Sequence, residues 1–227
     1  MIREYDIVSI LKKLVSNMEI SVKVDSSLDN GDGTFTISTC NTQYLNSCSL
    51  FELNGFDYIV SSIENNKSIT LSGGPIITDS FNIRPPLFIP DTPTGANNEL
   101  VLMKNDLDRH PFIWLLENFK TERSFDNRGN IGESRVRLFF LDASDNPVWL
   151  EEEIRKNCIE PMTNLADKFL GDLRLKVSGK IETVTVINRI RFGNMSNNKS
   201  ILDESLSGVE IDITIPVKSW AVDCLEC

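Results

Sequence analysis

A chain of 227 residues with 41% apolar and 25% charged side chains has the composition of an ordinary globular protein and enough length to bury a substantial core. Its 33 carboxylates against 23 lysines and arginines leave a formal net charge of −10, and no basic block occurs, which excludes tight sequence-independent binding to nucleic acid. No apolar run approaches a membrane span, and charges interleave the apolar residues of MIREYDIVSILKKL, so neither a transmembrane helix nor a signal peptide is expected.

Residues 4–18 predict a helix. Ile7, Val8, Leu11, Leu14, Val15 and Met18 recur at three- and four-residue spacing, with Lys12, Lys13 and Asn17 on the other face. Alternating segments follow at 20–24, 34–39, 50–53, 56–63 and 67–73, separated by turn residues at 29–33, 54–55 and 65–66. Asn54-Gly55 is a strong hairpin signal, because both central positions of a type I′ turn need positive φ. These strands predict an inserted β-rich subdomain over 19–72, a small barrel or curled sheet.

Residues 73–99 hold five prolines and little periodicity, so 73–95 reads as a proline-rich extended arm. Ile76, Ile77, Phe81, Leu87, Phe88 and Ile89 are too many for a solvated linker. They call for burial against the chain's own body or against a neighbouring subunit. ELVLM (99–103), HPFIWLLENF and SRVRLFFLD (134–142) come next, with Trp114 and Phe119 expected in the core of a central sheet. From Trp149 onwards Leu150, Ile154, Cys158, Met162, Leu165, Phe169 and Leu173 line one helical face, and Pro161 is expected to kink or divide that helix. Strands at 181–192 and 208–220 close the chain around a polar loop, the second alternating Val209, Ile211, Ile213 and Ile215 with polar residues. The whole reads as α+β, its core built from 1–18 plus 96–227.

Chemistry is harder to find. His110 is the single histidine, and a general base needs a second group to hold it and a nucleophile to face. Standing before Pro111, it is better explained as the start of a strand. Neither Asp25 nor Asp29 begins a loop with the ligand spacing of an EF-hand, so DNGDG reads as a tight turn. Glu151, Glu152 and Glu153 occupy consecutive helical positions, which spread around the helix and cannot converge on one metal. Five cysteines without an export signal suggest reduced thiols. Cys224 and Cys227 form one C-x-x-C pair, and Cys40 and Cys48 do not have the spacing of the other half of a zinc site. No catalytic residue, cofactor or metal is expected.

HPFIWLLENF, a turn, ESRVRLFFLD and then WLEEEIRKNCIEPMTNLADKFLGDL resemble the tail-terminator and neck-ring proteins of tailed bacteriophages. The matching pieces are residues 4–18, 110–142, 149–173 and 181–217, with 19–95 as an insertion. The insertion and the asparagine-rich turns look like the neck-ring proteins of podovirus-like, crAss-like Bacteroides phages. The resemblance implies a tail-terminator-like sheet with packed helices. It also implies a structural virion protein of the neck or tail, made in the host cytoplasm, that forms a ring with itself. Twelvefold symmetry is favoured over sixfold, the portal or adjacent rings are the neighbours, and DNA passes as non-specific cargo. Head-to-tail rings need two complementary surfaces. Ile76, Phe81, Leu87, Phe88 and Ile89 are assigned to that oligomer interface, so removing 80–95 is expected to leave a folded subunit that no longer assembles.

Overall fold

Two sheets, joined by a short two-stranded ribbon, organise the chain. The computed structural model describes residues 7–18, 20–45, 50–64, 66–103, 110–117, 120–126, 129–144, 150–176, 186–192, 202 and 205–218. The expectations at residues 4–6, Cys48, Phe119, Trp149, the start of the 181–192 strand, Cys224 and Cys227 lie outside them.

Helix α1 (Ile7–Ser16) buries Ile7, Leu11, Leu14 and Val15, the face its spacing defines. The chain then passes through β1 (Ile20–Val22) into a five-stranded antiparallel sheet. Its strands are β2 (Ser26–Asp29), β3 (Thr34–Ser38), β4 (Leu50–Leu53), β5 (Phe56–Glu64) and β6 (Ser68–Gly73), in the order β2-β3-β6-β5-β4. The β4–β5 turn has Asn54 at φ 56° and Gly55 at φ 81°, the backbone its sequence calls for. Among the described residues β2 and β4 do not pair with each other, so the sheet is open rather than a closed barrel. One face carries Phe35, Ile37, Phe51, Tyr58, Val60, Ile69 and Leu71 into a core of its own.

The expected arm at 73–95 is not an extended arm. It supplies β7 (Phe81–Ile83), which pairs antiparallel with β1, and β8 (Leu87–Asp91), which joins the second sheet. Phe81 stacks on Phe51, ring centroids 5.3 Å apart, inside the core of the first sheet. Ile89 is fully buried in the second lobe. Leu87 and Phe88 are half-buried on opposite faces of β8, and Ile76 alone of the five is exposed. The apolar character of Phe81 and Ile89 is therefore accounted for within the subunit. Their assignment to an oligomer interface falls, and removal of 80–95 would take a strand from each lobe. The lobe boundary shifts with them, since 73–83 belongs with 19–72.

Helix α2 (Pro93–Leu102) follows β8, where sequence alone indicated only ELVLM. Thr92 caps it, its hydroxyl accepting from the Gly95 N–H at 3.2 Å, and Pro93 occupies the first turn. A Cβ at Gly95 would lie 2.1 Å from the Asp91 carboxylate, so a larger residue there would have to swing that side chain aside. The chain then enters β9 (Phe112–Leu116), parallel to β8. β10 (Lys120–Asp126) and the fifteen-residue β11 (Gly129–Ala143) form a long hairpin. Next come α3 (Glu151–Ile154), a π-helical turn (Arg155–Ile159), α4 (Glu160–Lys176), β12 (Val186–Phe192) and β13 (Leu206–Lys218).

The second sheet has six strands, ordered β12-β13-β11-β9-β8 with β10 also on β11. Its two faces are both covered. α1, the π turn and α4 pack on Ile113, Leu115, Leu138, Phe140, Val209, Ile211 and Ile213. α2 packs on the other side against Ile89, Phe112, Trp114, Phe139 and Leu141. Burial on both faces explains why β9 and the centre of β11 are continuous apolar runs while the margins alternate. The architecture is α+β.

Truncating Ile89 to alanine should lower the urea unfolding free energy by about 2–5 kcal/mol, as for a fully buried isoleucine. Ile76→Ala, on an exposed side chain, should stay within about 0.5 kcal/mol of the parent.

Candidate functional site

Two polar assemblies stand out from the apolar cores. The first lies at the end of the second sheet. His110 Nδ1 is 4.0 Å from Asp142 Oδ1, with both side chains mostly covered, at 13% and 10% exposure. Asp142 Oδ1 accepts the Ala143 N–H at 2.8 Å, and the hydroxyls of Ser144 and Ser207 lie 2.9 Å apart. Cys158 approaches from the π turn, its thiol donating to the Ala143 carbonyl at 3.2 Å. Burial, with the Asp142 charge adding to it, pushes this thiol far above its ordinary pKa. A nucleophilic cysteine needs the opposite, an environment that favours thiolate. His110 lies in a bend two residues before β9 rather than in the strand, and the Cys158 thiol is turned to the backbone of Ala143.

The second assembly is a cleft of about 570 Å³ between the two lobes. Thr42, Gln43, Leu45 and Asn66 of the first lobe form one wall. Arg155, Lys156, Ile159, Glu160, Pro161, Thr163 and Asn164 form the other, with Arg189 and Val209 from the second sheet between them. The lobes are tied across its margin by Asn164 Nδ2, which donates to the Gln43 carbonyl at 2.9 Å. The Asn66 N–H donates to Thr42 Oγ1 at 2.8 Å and holds the first wall in shape.

Pro161 creates the second wall. It lacks an N–H and its ring crowds the carbonyl one turn back, so an ordinary α-turn cannot run through it. The helix neither divides nor stops: it widens by one residue, and the Glu160 N–H reaches Arg155 O, five positions back. The same widening aligns the side chains of Arg155 and Glu160, which form an ion pair. In an α-helix residues five apart do not face each other. Lys156 pairs with Glu152 at 2.9 Å. Arg189 is exposed, and Glu151, on which its charge acts, spends both oxygens on Arg191 at 3.0 and 2.5 Å. Arg155, Lys156 and Arg189 thus line the cleft with Glu160, and Glu152 pairs with Lys156 from beside it, so Arg189 is the exposed cation the cleft adds.

The three consecutive glutamates part company as helical geometry requires. Glu151 takes Arg191, Glu152 takes Lys156, and Glu153 accepts the Leu150 N–H at 2.7 Å. Asp29 and Asp32 serve the β2–β3 turn, Asp29 Oδ1 accepting the Gly31 N–H at 2.9 Å and Asp32 Oδ1 that of Thr34 at 3.0 Å. Among the described residues no cluster of histidine, cysteine and carboxylates forms a metal site, and no helix is long and apolar enough to cross a membrane. The cleft residues were not singled out from sequence. One signal for them existed: Arg155 and Glu160, five apart, directly before a proline inside a helical pattern. Comparison with family models, curated proteins and solved structures found no match.

The Arg191 hydrogen bonds and charge hold the Glu151 carboxyl below its ordinary range. A depressed folded-state pKa contributes stability above the unfolded value and loses it as pH falls through the folded one. The urea midpoint of Glu151→Gln should therefore lie below the parent at neutral pH, and the gap should close as acid protonates Glu151. In thiol labelling followed by mass spectrometry, exposed Cys40 should react in the folded protein and buried Cys158 only after unfolding.

Proposed function

We propose that this chain is a non-enzymatic structural protein of a phage virion, forming a homo-oligomeric ring in the neck or tail that connects portal to tail and lets DNA pass. One observation carries the reading. The segments that resemble terminator and neck-ring proteins do not scatter over the molecule. β9, β11, β12 and β13 lie in a single sheet, and α1 and α4 pack on one of its faces. Strands β2 to β6 of the insertion make a separate lobe with its own core, while β8 joins the sheet itself. A tail-terminator-like core with an added β lobe is the fold this reading requires.

The charge supports it. A channel wall that DNA traverses must not hold phosphates, and a net charge of −10 suits that need. The ring's neighbours are further copies, the portal and adjacent rings, with twelvefold symmetry favoured and sixfold the alternative. A second reading, a non-enzymatic binding module for a virion or host protein, draws on Phe56, Ile59 and Ile76. All three are exposed apolar residues of the β lobe.

Native mass spectrometry of the purified full chain, alone and with portal protein, separates the two. A closed species of a single subunit number, six or twelve, is the expected outcome. A chain that stays monomeric in both samples would refute the ring.

A further inference from the structure

The interlobe cleft and the β2–β3 turn sit at opposite ends of one sheet. β3 pairs with β6 so that Ser38 faces Ser68, close to the Asn66 wall of the cleft, while Thr34 faces Ser72 at the far end. Five strand residues, about 16 Å at 3.3 Å each, separate the two sites along β3. The turn is made of Asp29, Asn30, Gly31, Asp32 and Gly33, every one exposed. A Cβ added at Gly31 or Gly33 would touch nothing, so the tip is slender and stands clear of its own chain. It is also rigid: its own N–H groups bond back to Asp29 and Asp32, and Asn30 Nδ2 donates to Thr34 Oγ1 at 2.8 Å.

We propose that the cleft receives the Asp29–Gly33 tip of a second copy, a carboxylate of which meets Arg189 while Asn66, Gln43 and Asn164 border its backbone. This rests on the ring reading and specifies the contact that closes it. Charge chooses the occupant, since the tip carries two carboxylates and Arg189 adds an exposed cation to a lining whose Arg155 and Lys156 pair with Glu160 and Glu152. Arg189 is the anchor, because its guanidinium can take a carboxylate with two parallel hydrogen bonds. Leu28, 67% exposed beside the tip, brings an apolar side chain to a cleft that includes Leu45, Ile159 and Val209. A nucleic-acid strand is a poor occupant, because Arg155 and Lys156 already hold carboxylates and one remaining guanidinium neutralises few phosphates. The tip cannot reach the cleft of its own chain, which makes the contact head to tail. Such a contact repeats from copy to copy and makes a ring when its rotation closes.

The test is sedimentation and light scattering of the full chain, with Asp29→Asn/Asp32→Asn in one variant and Arg189→Glu in another. Asparagine oxygens keep the N–H bonds of the turn while removing its charge, and Arg189→Gln stands in should the reversal disturb β12. Each variant should melt like the parent and self-associate at least about tenfold more weakly, a change of about 1.4 kcal/mol. Salt should weaken the parent as screening shortens from about 30 Å at 0.01 M to about 8 Å at 0.15 M. Mixing the two variants leaves one sound tip and one sound cleft, so a one-to-one pair that does not grow is expected. Variants that assemble like the parent overturn the docking and leave the ring reading standing. So does a mixture that yields no pair although the parent assembles. A parent that never associates, with or without portal protein, overturns both.

Discussion

The pairing of β1 with β7 is the constraint on which the rest of the molecule depends. Three residues on each side form the ribbon, Ile20 with Ile83, Ser21 with Asn82 and Val22 with Phe81. So short a pair has little stability of its own. It persists because its side chains serve both lobes: Ile20 enters the core of the second sheet, Val22 and Phe81 that of the first, and Ile83 touches both. A slip of one residue would turn each of these side chains to the wrong side. Asn41 Nδ2, donating to the Ser21 carbonyl at 2.6 Å, and Tyr44, packed on the core of the second lobe, extend the junction into the cleft wall. The lobes are thereby fixed, and the cleft between them is a property of the fold rather than of a ligand.

Pro161 is the second constraint, and it acts on charge. A proline inside a helix removes a donor and forces a wider turn. That turn keeps Cys158, Ile159 and Met162 on the sheet while presenting Arg155 and Glu160 together to the cleft. The buried polar layer at the sheet end depends on the same turn, since Cys158 is the residue it aims at Ala143. The widened turn therefore belongs to the packing as much as to the cleft.

Elements with a regular period were legible in the sequence. α1 shows its apolar stripe, β13 its alternation, and Asn54-Gly55 its turn, because each is decided by neighbours within a few residues. The 73–95 segment was misread for the opposite reason. β7 has three residues and β8 five, with Pro85 and Pro86 between them and Pro90 inside β8, too short to show a period. Their partners, Ile20–Val22 and Phe112–Leu116, are far away in sequence. α2 escaped because only Ala96 and Leu100 are buried, which leaves no stripe to read. Thr92-Pro93, a cap followed by a proline in the first turn, was the one local sign of it. The cleft could not be read at all, since its walls come from five separate stretches of chain that are far apart in sequence.

On the proposed ring reading, a subunit with an acidic tip at one end of its β lobe and Arg189 in a cleft near the other would make polar, salt-sensitive contacts between copies. All of this requires the ribbon to hold the lobes as one body. Native-state hydrogen exchange measures that directly. The amides of Ile20–Val22 and Phe81–Ile83 should open only with the strands at the centre of the second sheet, Leu138–Leu141 and Val209–Ile213. Ribbon amides that exchange as fast as those of an exposed turn, while these central strands stay protected, would contradict the account.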